Sequence, residues 1–292
     1  MQRRRLVAGA IAAALALGSA TAGALTGAGA EETLPASDAA EPAAKAGAGG
    51  PPSLPRGGRS IFPQQRVVAY YGAPQDEELG ALGIGTPASA ARRLERQAKA
   101  YGRPDRPVLP ALELIAVIGR YVRAARRAKA LLLLDIQPGA SDFFTEATRL
   151  ERWLREPDVA LALDPEWRVG PGQIPGKVIG SVRADEVNRV TRYVRGIVRK
   201  GRLPQKLLLI HQFTPDMIPD KQELVRPREL AMTINVDGFG NRPEKEGKYT
   251  ELAPDARGFH HGFKLFYEED TGLMTPSQVL GLRPRPEIVV YE

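Results

Sequence analysis

The stretch LLLLDIQPG, residues 131–139, decides the fold. Four consecutive leucines carry no alternation of apolar and polar positions, and the run is too short for a helix. That is the pattern of a strand covered on both faces, as in a parallel sheet. Asp135 and Gln137 end the run in polar groups, and Pro138 with Gly139 breaks it. The signature recurs along the chain. Apolar runs bounded by turn residues fall at Val67–Tyr71, Val108–Glu113, Leu131–Asp135, Val159–Asp164, Leu207–His211, Ala231–Val236, Gly262–Tyr267 and Ile288–Tyr291, which makes eight.

Helical patterns lie between these runs. Thr86 and Pro87 supply an N-cap and a first-turn proline for a helix that closes at Gly102. A second runs from about Val117 to Lys129. Ser141 is placed to cap DFFTEATRLERWLRE, which stops before Pro157. Asp185 opens a further helix, on which Val187, Val190, Val194, Ile197 and Val198 form one apolar stripe before Gly201. Alternating strands and helices also suit an open doubly wound sheet, but eight repeats over residues 61–292 point to an α/β fold of the (β/α)8 TIM type. Since the sequence reaches Glu292 directly after the eighth run, the usual last helix is expected to be missing from it.

The chain of 292 residues is 43% hydrophobic and 26% charged, so it can bury a core, and global disorder is excluded. Residues before 61 read differently. Arg3, Arg4 and Arg5 precede an apolar run from Leu6 to Leu17 and small residues at Ala20, Ala22 and Ala24, the three-part pattern of a signal peptide over 1–24. The run is short and rich in Ala and Gly for a membrane span, so cleavage after Ala22 or Ala24 is expected, leaving no integral membrane segment. The adjacent arginines are a loose match to a twin-arginine signal. Residues 25–60 are rich in Ala, Gly and Pro without apolar periodicity and are expected to be a disordered linker. There is no cysteine, which removes disulfides, thiolate metal sites and lipid attachment to a cysteine. Loss of the leader lowers the net charge from +7 to +4, with 38 Lys and Arg against 34 Asp and Glu. No basic stripe with interleaved aromatics argues for nucleic acid.

Side chains two apart on a strand share a face. In LALDPEW (161–167) the leucines take one face, so Ala160, Ala162, Asp164 and Glu166 point into the lumen. The same parity brings Glu113, Asp135, Gln137, His211, Asn235, Asp237 and Lys264 to the strand ends. Barrel enzymes carry their chemistry on that face. Glycoside hydrolysis needs a protonated carboxylic acid beside the leaving oxygen and a second carboxylate. Neighbouring carboxylates and the ring of Trp167 would raise the pKa of Glu166 and suit it as the acid. Asp164 supports it, and Asp135 or Asp237 is the second carboxylate. Glu113, Gln137, Trp167, His211, Gln212, Asn235, Lys264, Tyr71 and Tyr291 are the substrate-binding candidates, and Tyr70, Phe213 and Phe239 offer further stacking faces. No cofactor is implied, and the expected partner is a polysaccharide or cell-wall glycan.

The segments LLLLDIQPG, LALDPEWRVGPGQIPGKVIGSV, KLLLIHQFTPDMI, NVDGFG and GFKLFYEEDTGLMTPSQVL resemble those of a secreted actinobacterial family of glycoside-hydrolase-like TIM barrels. The resemblance covers about residues 66–292 and implies the barrel and export. Asp164-x-Glu166 followed by Trp167 also resembles the chitinase-type glycosidases, in which the Glu is the acid and the Asp assists a substrate acetamido group. The longer acidic run of that motif is replaced here by leucines and alanines.

Two other classes fit less well. A metal-dependent hydrolase would use Asp135, Asp164, Glu166, His211 and Asp237, but there is no H-x-H or HExxH pattern, and His260 and His261 sit at the wrong end of their strand. A non-catalytic glycan-binding barrel is the other, since the seventh run carries Lys264 and its acids Glu268, Glu269 and Asp270 lie beyond it. The loop 168–179 (RVGPGQIPGKVI) is long enough to wall the site. DGFGN at 237–241 is a very weak phosphate signal and reads as backbone shaping near Asp237.

Overall fold

In the computed structural model, which describes residues 50–73, 79–115, 118–253 and 258–292, eight parallel strands close into one barrel in sequence order. They are β1 Arg66–Gly72, β2 Val108–Leu114, β3 Leu131–Ile136, β4 Val159–Leu163, β5 Lys206–Gln212, β6 Leu230–Val236, β7 His260–Leu265 and β8 Ile288–Tyr291. The ring closes where Val67–Tyr70 of β1 pairs with Ile288–Tyr291 of β8. All eight predicted runs are strands. Most ends lie within one residue of the runs; β7 sits two places earlier, from His260 to Leu265, and β4 stops at Leu163 and hands Pro165–Trp167 to a 3-10 turn.

The helices are α1 Pro87–Lys99, α2 Ile118–Arg127, α3 Phe143–Arg149, α4 Glu151–Leu154, α5 Ala184–Gly201, α6 Arg242–Leu252 and α7 Pro276–Gly281. On α1 the Thr86 hydroxyl accepts from the Ser89 amide while the Ser89 hydroxyl accepts from the Thr86 amide, so two otherwise orphaned donors are satisfied reciprocally. The cap of α3 is Asp142 rather than Ser141: its Oδ1 accepts from the Thr145 amide at 2.9 Å. The predicted single helix there breaks at Leu150 into α3 and α4. The valine stripe of α5 is buried as its spacing predicts, but the helix runs through Gly201 and turns left-handed at Arg202, with φ of 47°. Between β5 and β6 the chain forms only two 3-10 turns, at Pro215–Met217 and Lys221–Glu223. Among the described residues no helix is long and apolar enough to cross a membrane.

Alternation along the strands builds two cores. Leu132, Leu134, Leu161 and Leu163 face the helices, whereas Leu131, Leu133, Ala160 and Ala162 fill the lower lumen. That lumen is closed from below by Leu54, Ile61 and Phe62, which are 2%, 0% and 5% exposed. Residues 50–60, expected in the linker, are therefore corrected to part of the folded domain. They are held by polar bonds as well: Arg59 donates to the carbonyls of Pro52, Arg202 and Leu203, and Gln205 Oε1 accepts from the Ile61 amide at 2.9 Å. The expected signal peptide and linker residues 1–49, and the predicted helix start at Val117, lie outside the described residues.

Candidate active site at the barrel mouth

The upper lumen is charged. Its centre is His211, at the end of β5 and fully buried, whose Nδ1 lies 2.7 Å from Asp237 Oδ2 and whose Nε2 lies 3.1 Å from Glu113 Oε1. Both ring nitrogens face carboxyl oxygens, a pairing that suits an imidazolium, which donates from both. Burial works against that charge, but Asp237 and Glu113 outweigh it and hold His211 well above its ordinary pKa. The Asn235 amide group lies 3.3 Å from Nδ1. Its room comes from Gly262 on β7, where a Cβ would fall 2.4 Å from Asn235 Oδ1 and 2.8 Å from Ile288 Cγ2.

Lys264, from β7, is the second cation. Its Nζ reaches Glu292 Oε2 at 2.7 Å and Asp237 Oδ2 at 3.4 Å, and sits 3.8 Å from the centroid of the Tyr71 ring. Burial disfavours its charge, yet Glu292 and Asp237 keep its pKa well above the ordinary value. For Asp237 burial pulls upward, while Lys264 and His211 overcome it and hold the carboxyl below its usual range. Tyr71 donates to Asp135 Oδ2 at 3.4 Å and accepts from Gln137 Nε2 at 3.0 Å.

The remaining acids behave oppositely. Burial, with the charge of Glu113 adding to it and His211 opposing, pushes Asp135 up to about 7. Burial, then the charges of Glu166 and Asp135, raises Asp164 well above its usual range, and Asp164 makes no hydrogen bond or ion pair through its side chain among the described residues. Glu166 is half-buried in the 3-10 turn after β4, where burial and then Asp237 push it up to about 7. Its backbone is pinned by Gly180, whose amide donates to the Glu166 carbonyl at 2.6 Å; a Cβ on Gly180 would stand 2.6 Å from that oxygen. The loop 168–179 thus returns to the site at its far end, with Arg168 paired to Glu186 of α5 at 3.2 Å and Ile174, Val178 and Ile179 exposed.

Parity therefore brings together Glu113, Asp135, Gln137, Asp164, Glu166, His211, Asn235, Asp237, Lys264 and Tyr71. Two candidates are corrected. Gln212 follows His211 and so faces outward, where its Oε1 accepts from Lys221 Nζ at 2.9 Å and its Nε2 donates to the Thr214 carbonyl. Tyr291 likewise faces the helices, with its hydroxyl bonded to those of Tyr101 and, through Nε2, Gln97, and its ring stacked on Tyr267. Tyr70 and Phe213 belong to that outer core, and Phe239 packs edge-on against Phe266. Trp167 is half-buried beside Glu166. The residue that sequence reasoning misses is Glu292; the same parity signals it, two places after Val290, which points into the lumen.

Glu113, Asp135 and His211 also present one ligand atom each within 4.8 Å of one another, a spacing that could hold a metal ion. With Nδ1 held by Asp237, Nε2 would be the ring atom facing such an ion beside Glu113, the arrangement in which a carboxylate orients a metal-ligating histidine. His260, at the opposite end of its strand, pairs with Glu287 Oε2 at 2.5 Å, away from the mouth.

No family model matches the chain, and no curated protein matches it. Among solved structures, the apo structure of Bacteroides uniformis beta-glucuronidase 3 is similar over 79% of this chain and 32% of that one, at 10% identity and a TM-score of 0.36. The chain spans about a third of the length of that protein. A likeness of that size says nothing of the site.

Proposed function

We propose that the protein is an exported, glycoside-hydrolase-like enzyme that acts on a cell-wall or extracellular polysaccharide by carboxylate general acid/base chemistry. One observation carries the reading: two acids of the same mouth are driven apart, Glu166 up to about 7 and Asp237 below its ordinary range. Pairs separated in this way hold one carboxyl protonated and the other ionised at neutral pH, which is the requirement of glycosidic cleavage. Glu166, the partly exposed member, gives its proton to the leaving oxygen. Asp237, kept negative by His211 and Lys264, opposes the positive charge that develops on the sugar ring. Asp164, itself raised by burial and by the charge of Glu166, supports the acid as a neutral neighbour, and the basic, apolar and small-residue pattern of residues 1–24 supports export.

The test is reducing-sugar release from a panel of polysaccharides. Glu166→Gln keeps the shape and removes the acid, so release falls by about 10²–10⁴-fold with folding unchanged. Chelation by EDTA leaves the native rate intact. Loss of activity in EDTA would assign Glu113, Asp135 and His211 to a metal, whereas retention on a polysaccharide without release would make the barrel a binding module.

A further inference from the structure

At the opposite end from the mouth, a groove of about 640 Å³ lies between the C-terminal half of α5 and the segment that enters β6. Arg192, Arg195 and Arg199 stand on one face of α5 at spacings of three and four, and Arg226 and Arg228 line the other wall. Among the described residues, Glu229 is the only acid lining it. Glu229 is shared by Arg195 at 3.3 Å and Arg199 at 3.9 Å, and Arg226 lies over the Phe259 ring at 4.9 Å. Arg192 and Arg228 have no side-chain partner among the described residues. Among the described residues, five guanidinium groups against one carboxylate leave an excess of four positive charges in one groove.

The wall that carries Arg226 and Arg228 is fixed at both ends. Asn188 of α5 donates to the Glu223 carbonyl at 2.9 Å and accepts from the Val225 amide at 2.8 Å. Gln205 donates to the Arg228 carbonyl at 3.1 Å, and the Leu230 amide closes a turn onto Pro227 at 3.0 Å. The guanidinium groups are therefore presented by a pre-formed backbone. Planar forks of this kind match phosphate oxygens two at a time. A single phosphate would engage two or three of them, and the five here span more than one.

We infer that this groove is a binding site for an oligophosphate, a ligand with at least two linked phosphate groups held between α5 and the segment before β6. The site is separate from the mouth and independent of its chemistry. Calorimetry of the full chain with tripolyphosphate at low salt tests it, with inorganic phosphate in parallel. Tripolyphosphate binds one-to-one and more tightly than inorganic phosphate. The pair Arg192→Ala with Arg228→Ala weakens it by about tenfold or more, since each removes a charge-assisted contact. Arg120→Ala with Arg123→Ala, which removes the same charge from exposed positions on α2, leaves the affinity as it was. No binding of tripolyphosphate, or an equal loss in the α2 pair, would overturn the inference, and thermal melts of all variants verify that each is folded.

Discussion

The two ends of the lumen are built from the same strands, yet they treat polar atoms in opposite ways. At the floor, Leu54, Ile61 and Phe62 close an apolar layer, and the Arg59 guanidinium beneath them is bonded to three carbonyls. At the mouth, four carboxylate oxygens, Glu113 Oε2, Asp135 Oδ1, Asp164 Oδ1 and Asp237 Oδ1, are buried without a hydrogen-bond partner. Six carboxyls there face two cations, His211 and Lys264. An unmatched buried charge is a cost to folding. The floor therefore stabilises the barrel, and the mouth is carried at its expense, as expected of a functional site.

That contrast can be broken most severely at its hub. His211→Ala leaves Glu113 and Asp237 buried without their shared cation, and it should destabilise the fold by about 3–5 kcal/mol in denaturant titrations, the cost of breaking a buried ion pair from one side. A loss under about 1 kcal/mol would mean that the carboxyls simply take up protons. Leu54→Ala should cost somewhat less, about 2–4 kcal/mol, by opening a cavity in the floor, with no change in the chemistry of the mouth. Stability indifferent to that change would show that residues 50–60 do not seal the lumen.

The smallest effect is one of pH. Asp135 and Glu166, both raised to about 7, remain protonated in the folded chain where the unfolded chain has already released its protons. The folded state binds more protons across that interval, so this contribution is fully present below the unfolded carboxylate range and is lost as pH rises through about 7. The raised value of His211 acts in the same direction, the lowered values of His261 and, above about 7, of Lys206 oppose it, and the lowered value of Asp237 acts only in more acidic solution. The melting temperature should fall by several degrees between pH 5 and pH 8, at roughly 2–4 °C for each kcal/mol in a domain of this size. Glu166→Gln should flatten the slope, and a melting temperature that rises over this interval would contradict the assignment.

Much of the site was legible because backbone geometry alone dictates it. Once LLLLDI is a strand, Asp135 must share a face with Leu131 and Leu133, and the same rule delivers Glu113, His211, Asp237 and Lys264. The errors arise where residue type outweighs that rule. Gln212 and Tyr291 look like ligand-binding residues but stand one place out of phase, and Glu292, in phase with Ile288 and Val290, lies one place past the end of its apolar run. The floor was hidden for another reason. Leu54, Ile61 and Phe62 have neither the period of a helix nor that of a strand, and Pro- and Gly-rich sequence around them carries no signal of the carbonyls that Arg59 will meet. Ser141 and Asp142 are both competent caps, and only the structure chooses between them.

The packed segment at 50–62 also gives the molecule a handle. Residues 50–62 lie beneath the barrel, at the pole opposite the carboxylates. A surface gripping the protein by that segment would hold it like a cup by its base, with the acidic opening turned outward.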